Sequence, residues 1–306
     1  TLIENFDVTK SIRTTLKSVP DMERALARLS LNRGGPRDLA ALRDGLNFAS
    51  FIRAELIEKG LVNSPLAHCA NLLHLTEPQN NFKDLLTAAL ADSLPFLARD
   101  GGFIANGFCP NLDHLRSLKS ETHKHIASLQ TKYATDTGIE TLKITHNNIL
   151  GFFIEVPARR AEAMMVKTGD TENPFIHRQT MSNGMRFTTP DLSNLERDIA
   201  ISAEKAQAIE DNYFNEFCEE AKSLADDIAR VAHGLASIDV ATSMAALAID
   251  KSYTRPIIDN SDAFDIQGGR HPVVEQALAK KHQRFAPNNC NLSDKERLWL
   301  LTGPNM

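Results

Sequence analysis

The stretch from about Leu192 to Ser237 constrains this chain more than any other. Apolar residues recur there at helical spacing, through Leu195, Ile199, Ala206, Ile209, Tyr213, Phe217, Leu224, Ile228, Val231 and Leu235. Charged residues fill the other faces, no proline interrupts, and the only glycine is Gly234. Steps of three and four on one stripe predict an amphipathic helix. At 1.5 Å per residue, an unbroken helix from Leu192 to His233 spans roughly 60 Å. That is several times the usual globular length. Such a helix serves as a strut or lever, so what stands at its two ends matters most.

The 306 residues argue for about two domains and a sizeable core. Hydrophobic content is 42% and charged content 24%, ordinary for a soluble protein. The net charge of -5 gives no whole-chain support to nucleic-acid binding, so any such surface must be local. Cys69, Cys109, Cys218 and Cys290 are far apart and form no CxxC pair, which predicts reduced thiols in a cytoplasmic protein. The ten histidines show no ligand spacing, so no metal site is expected. No apolar run suggests a membrane span or a signal peptide. The polar start at Thr1 and the ending LWLLTGPNM both read as cuts within a longer protein.

Residues 1–137 read as mostly helix. Asp21 marks one helix start, Asp38–Ile57 forms a second helix, and Ser64–Pro65 opens another. Leu85–Leu97 reads as a short helix. The glycine-rich Gly101–Phe108 segment reads as a buried turn. Leu112–Tyr133 is a second long amphipathic stretch, able to run antiparallel to the first. At Gly138 the period changes to two. Leu142–His146, Phe152–Val156, Ile176–Gln179 and Met185–Thr188 alternate apolar with polar residues, and Asn183-Gly184 is a hairpin signal. A small β-unit, residues 138–190, therefore interrupts two long helices, and residues 191–250 return as helix. In 251–306, Phe264–Gln267 reads as a strand, Val273–Leu278 as a helix and Leu298–Leu301 as a buried strand.

An apolar strand followed by Thr302-Gly303-Pro304-Asn305-Met306 resembles the first half of a phosphate-binding loop, without its Gly-Lys-Ser/Thr half. On pattern alone an ordinary strand and turn explains it better. More distinctive words accompany it: Pro20-Asp21-Met22-Glu23-Arg24, Leu142-Lys143-Ile144, Gly151–Val156, Arg178-Gln179-Thr180 and Gly269-Arg270-His271-Pro272-Val273-Val274-Glu275. In this order, across residues 18–306, they resemble the MutS family of DNA mismatch repair proteins.

That resemblance implies a mainly α fold: core and lever helices in 1–137, a β-rich DNA clamp in 138–190, returning lever helices in 191–250, and the start of an ATPase domain in 251–306. It implies a clamp that touches the backbone of double-stranded DNA. The candidate contacts are Arg159, Arg160 and Lys167 around a hairpin tip, Arg178 and Arg186 in an acid-free stretch, and Ser182 and Asn183 in a polar turn. By composition alone the unit is a solvated sheet, since Glu155, Glu162, Asp170 and Glu172 dilute its positive charge. The resemblance further implies ATP and Mg2+ in the whole protein. Phe285 would lie against the adenine and Asn288 nearby, with Gly303, Pro304, Asn305 and Met306 opening the phosphate loop. No catalytic residue is expected within the chain, which alone should neither hydrolyse ATP nor bind it well. A homodimer and a MutL-type partner are implied as well. Two readings compete: a helical scaffold whose β-unit docks a protein, and a paralogue acting on other DNA structures.

Overall fold

The computed structural model of the chain describes residues 1–147, 149–165, 173–292, 296–300 and 302–303, the side chains at 119–121, 123 and 163 excepted. They form two compact units, Thr1–Lys251 and Ser252–Met306.

The first unit starts with five helices: α1 (Phe6–Leu16), α2 (Met22–Ser30), α3 (Pro36–Glu58), α4 (Ala67–Leu72) and α5 (Glu77–Ala89). Their starts are dictated locally. Asp21 accepts the Arg24 N–H at 2.9 Å, Asp38 reaches back to the Gly35 N–H at 2.8 Å, and Gln79 accepts the Thr76 N–H at 2.8 Å. Each bond uses a donor that a helix start leaves open. The last of these moves a boundary. Composition predicts a helix over Leu85–Leu97, whereas the Thr76–Gln79 box starts α5 earlier and Leu90 leaves it to bridge Ile104. Leu39, Leu42, Leu46, Ile52 and Leu56 make one face of α3 the centre of the core, with Phe82 and Leu86 of α5 against it.

Two long helices leave this core. α6 spans Pro110–Thr137 and α8 spans Pro190–Ser223. Tyr133 shares a 2.9 Å hydrogen bond with Thr189, and Arg116 pairs with Glu210, so the two run antiparallel as expected. The predicted unbroken helix is two helices. α8 ends at Ser223, Leu224 leaves helical geometry (φ -98°, ψ 13°), and α9 spans Ala225–Lys251. The apolar period continues through the junction because both helices face the same core, and periodicity does not register a one-residue break. By length and mean hydropathy (1.3) α9 would qualify as a membrane span, which the run-based reading passed over. Ile228, Val231, Leu235 and Ile238 are buried against α1 to α4, while Val240 and Met244 stay exposed.

The Gly101–Phe108 turn is held from α8. Glu210, itself buried, accepts the N–H groups of Gly102 at 2.7 Å and Ile104 at 3.4 Å. Its ion-pair partner Arg116 donates to the Ile104 carbonyl at 2.9 Å. This joins α6, α8 and the turn through one carboxylate.

Between α6 and α8 lies a four-stranded antiparallel sheet of β1 (Lys143–Asn147), β2 (Gly151–Pro157), β3 (Ile176–Thr180) and β4 (Gly184–Thr188), ordered β1-β2-β4-β3, with the short helix α7 (Glu162–Met165) between β2 and β3 in sequence. Gly138 ends α6 at φ +65° and Gly151 starts β2 at φ +68°, backbone regions that disfavour a side chain. A Cβ on Gly151 would also fall 1.9 Å from the Glu196 carboxylate of α8. Ile154, Val156 and Phe187 point inward onto Leu129, Tyr133 and Leu192, forming a second core. Burial raises the Tyr133 hydroxyl pKa above its ordinary value. Burial also raises the Cys218 thiol to about 11, which keeps it protonated and inert.

The second unit is a hairpin-like pair, β5 (Phe264–Gly269) and β6 (Asn288–Leu292), with α10 (Pro272–Lys280) between them in sequence. His271 accepts the Val274 N–H at 3.3 Å and caps α10; Arg270 pairs with Glu275. Of the strand predicted at Leu298–Leu301, Leu301 lies outside the described residues. Residues 296–300 have no regular structure, and Leu298 and Leu300 are each 83% exposed. An apolar strand is buried only when a sheet flanks it, and the described sheet of this unit has two strands.

Candidate nucleic-acid interface

The sheet has one covered face and one open face. Its registers place Lys143 opposite Glu155, Glu155 opposite Arg186, and Arg186 beside Gln179 across β1, β2, β4 and β3. A transverse polar row therefore crosses the open face. Arg186 is locked within it. Its Nε donates to Glu155 at 3.1 Å, a second guanidinium nitrogen donates to Gln179 at 3.2 Å, and the guanidinium lies 4.6 Å from the Phe153 ring centre. Such a cation is well oriented for an anion, but Glu155 already offsets much of its charge.

Above this row is a 310 Å³ cleft lined by Lys143, Thr145, Glu155, Ser182, Asn183 and Arg186, among others. The fold thus unites Ser182, Asn183 and Arg186, which are predicted contacts, with Lys143 and Thr145, which were not singled out. The missed signal was present in the alternation of Leu142, Lys143, Ile144 and Thr145. Only the strand register reveals that this polar side faces Arg186. Ser182 and Asn183 are exposed in the β3–β4 turn, closed by the Met181 N–H donating to the Gly184 carbonyl at 2.8 Å.

Arg159 and Arg160 do not sit at a hairpin tip. β2 pairs with β4, so the chain must cross β4 to reach β3, and these arginines occupy a 3₁₀ turn, Ala158–Arg160, that begins the crossover. A hairpin reading assumes that neighbours in sequence pair, which fails here. Both are exposed, and neither has an acidic partner among the described residues. Arg178 lies at the register shift between His177 and Gln179, a bulge that frees its side chain from the ladder; it too is exposed. Lys167 lies outside the described residues.

Of the nucleotide residues that the resemblance implies, Phe285, Asn288 and Gly303 are among the described residues. Phe285 is half-buried ahead of β6, and Asn288 begins β6 exposed, its side chain donating to the Ala286 carbonyl at 3.4 Å. No described contact joins either to Gly303. A Cβ on Gly303 would meet nothing within 4 Å among the described residues. Pro304, Asn305 and Met306 lie outside the described residues. No chemical step is assigned to these residues. No group of three or more His, Cys, Asp or Glu able to hold a metal occurs among the described residues.

The family described as MutS family domain IV matches residues 107–205, the segment running from the start of α6 through the sheet into α8. The DNA mismatch repair protein MutS of Nitrobacter winogradskyi is 45% identical over 305 residues, covering 96% of this chain and 34% of the relative. The same-named protein of a Bradyrhizobium species is 44% identical over 302 residues, covering 97% and 32%. That of Rhodopseudomonas palustris is 42% identical over 313 residues, covering 97% and 34%. The chain spans about a third of the length of the curated relatives it matches. The identity extends over nearly the whole chain, and the matched segment coincides with the helix–sheet–helix unit. Together these matches support a fragment of a MutS-family protein.

Proposed function

We propose that this chain is part of a DNA mismatch repair protein and that its sheet grips the backbone of duplex DNA. The observations that carry the reading are the exposed cations Arg159, Arg160 and Arg178, which have no acidic partner among the described residues, and the polar cleft lined by Lys143, Ser182 and Asn183. Phosphate oxygens need such cations, hydroxyls and amides, without base-specific geometry. The sheet sits at the far end of α6 and α8, so these helices act as levers that transmit force between clamp and core. In the whole protein, an ATPase domain using ATP and Mg2+, a second copy and a MutL-type partner belong to the same proposal. No residue of this chain is assigned to them.

The test is duplex affinity against salt for the full chain and for a version with residues 139–189 replaced by a short linker. The intact chain should bind with log affinity falling linearly with log salt, and the deletion should lose that binding. Equal binding by both versions would remove the sheet from the interface. It would turn attention to the scaffold reading, in which the sheet docks a protein.

A further inference from the structure

A second concave surface lies in the helical core, where nothing in the DNA reading uses it. A 260 Å³ cleft opens between α2 and α3, lined by Arg24 and Arg28 of α2, Arg37 and Asp38 of α3, Asp21, and Phe96 from the loop after α5. Helical spacing places Arg24 and Arg28 one turn apart on the same side of α2. The three arginines differ in how they are held. Arg28 is committed inside the fold, pairing with Asp38 at 3.1 Å and donating to the Arg33 carbonyl at 2.9 Å. Arg37 donates its Nε to the Leu94 carbonyl at 3.0 Å, and its guanidinium stands 5.4 Å from the Phe96 ring centre. That leaves the outer nitrogens of Arg37 available. Arg24 is exposed and has no acidic partner among the described residues. Beside them Phe96 is 66% exposed and Leu97 is 40% exposed. Phe96 thus adds an exposed apolar surface to the lining of the cleft.

We propose that this cleft docks an acidic peptide segment, a carboxylate side chain held by Arg24 and Arg37 with a neighbouring apolar side chain laid on Phe96 and Leu97. The local charge favours a peptide over nucleic acid. Asp21 and Asp38 stand in the lining, so the cleft carries little net positive charge despite three arginines. A phosphate backbone gains affinity by releasing counterions from a run of unopposed cations, which the cleft does not offer. A single carboxylate needs only one or two guanidinium forks, and these are present. The cleft also has room for one side chain and not for a duplex.

The probe is a short fluorescein-labelled peptide alternating glutamate or aspartate with leucine and phenylalanine, titrated against the full chain by anisotropy. Its controls are the same peptide with glutamine and asparagine in place of the acids, and a single-stranded oligonucleotide. The acidic peptide should bind, the amide peptide should bind at least about tenfold more weakly, and Arg24→Glu should weaken the acidic peptide by roughly tenfold or more. Phe96→Ala should weaken both peptides. Arg24 makes no described side-chain contact, so Arg24→Glu should leave the helical circular dichroism and the melting temperature unchanged. Three results would each overturn the proposal: no binding of the acidic peptide, equal binding of the amide peptide, or tighter binding of the oligonucleotide that Arg24→Glu abolishes.

Discussion

The chain's first unit holds two hydrophobic cores that differ in kind. The larger surrounds α3 and draws on α1, α2, α4, α5, α9 and the lower part of α8. The smaller lies under the sheet and draws on one sheet face and the far ends of α6 and α8. Between them, α8 buries no residue from Leu192 to Glu210, a span of about 27 Å at helical rise. Two helices alone can cover only one strip of each other, so Leu195, Ile199, Ala206 and Ile209 stay half-buried there. The large core can hold its shape from its own contacts. The small core depends on the two helices reaching it, and it should open locally before the rest unfolds.

The largest expected effect separates the cores. Phe187 is fully buried under the sheet, so Phe187→Ala should cost about 3–5 kcal/mol locally. Hydrogen exchange should show lost protection in β2 and β4 with α3 unchanged. A matching loss in α3 would mean that the cores unfold as one unit, and the distinction would collapse.

Glu210 tests the near end of the levers. Glu210→Gln removes the charge that joins Arg116 to the Gly102 and Ile104 amides, at a cost of roughly 2 kcal/mol. Denaturant unfolding followed by circular dichroism should move to a lower midpoint, while exchange in the sheet stays as in the parent chain. Faster exchange in the sheet would show that strain at Glu210 passes along the levers.

The smallest effect is expected at the far end. Thr189 caps α8 by accepting the Leu192 N–H at 3.2 Å and also meets the Tyr133 hydroxyl. Thr189→Ala should cost about 1 kcal/mol and loosen only the first turn of α8 and the sheet beside it. A change in overall melting as large as that of Glu210→Gln would contradict a small core that opens alone.

Some of this architecture depends only on local chemistry. The stripes of α6, α8 and α9, the alternation of the four strands, the caps at Asp21 and Asp38 and the Asn183-Gly184 turn all follow from neighbours a few residues apart. So the sequence by itself determined a mainly helical chain with a small sheet between two long helices, and it marked 138–190 as the region of interest. Only the tertiary structure decided the rest. Arg186 and Glu155 meet through register, 31 residues apart, which turns an expected free cation into a half-neutralised one. The order β1-β2-β4-β3 moves Arg159 and Arg160 from a hairpin tip to a crossover and brings Lys143 to the cleft. Periodicity records which side of an element is apolar; what covers that side depends on elements far away in sequence, and no local pattern encodes their approach.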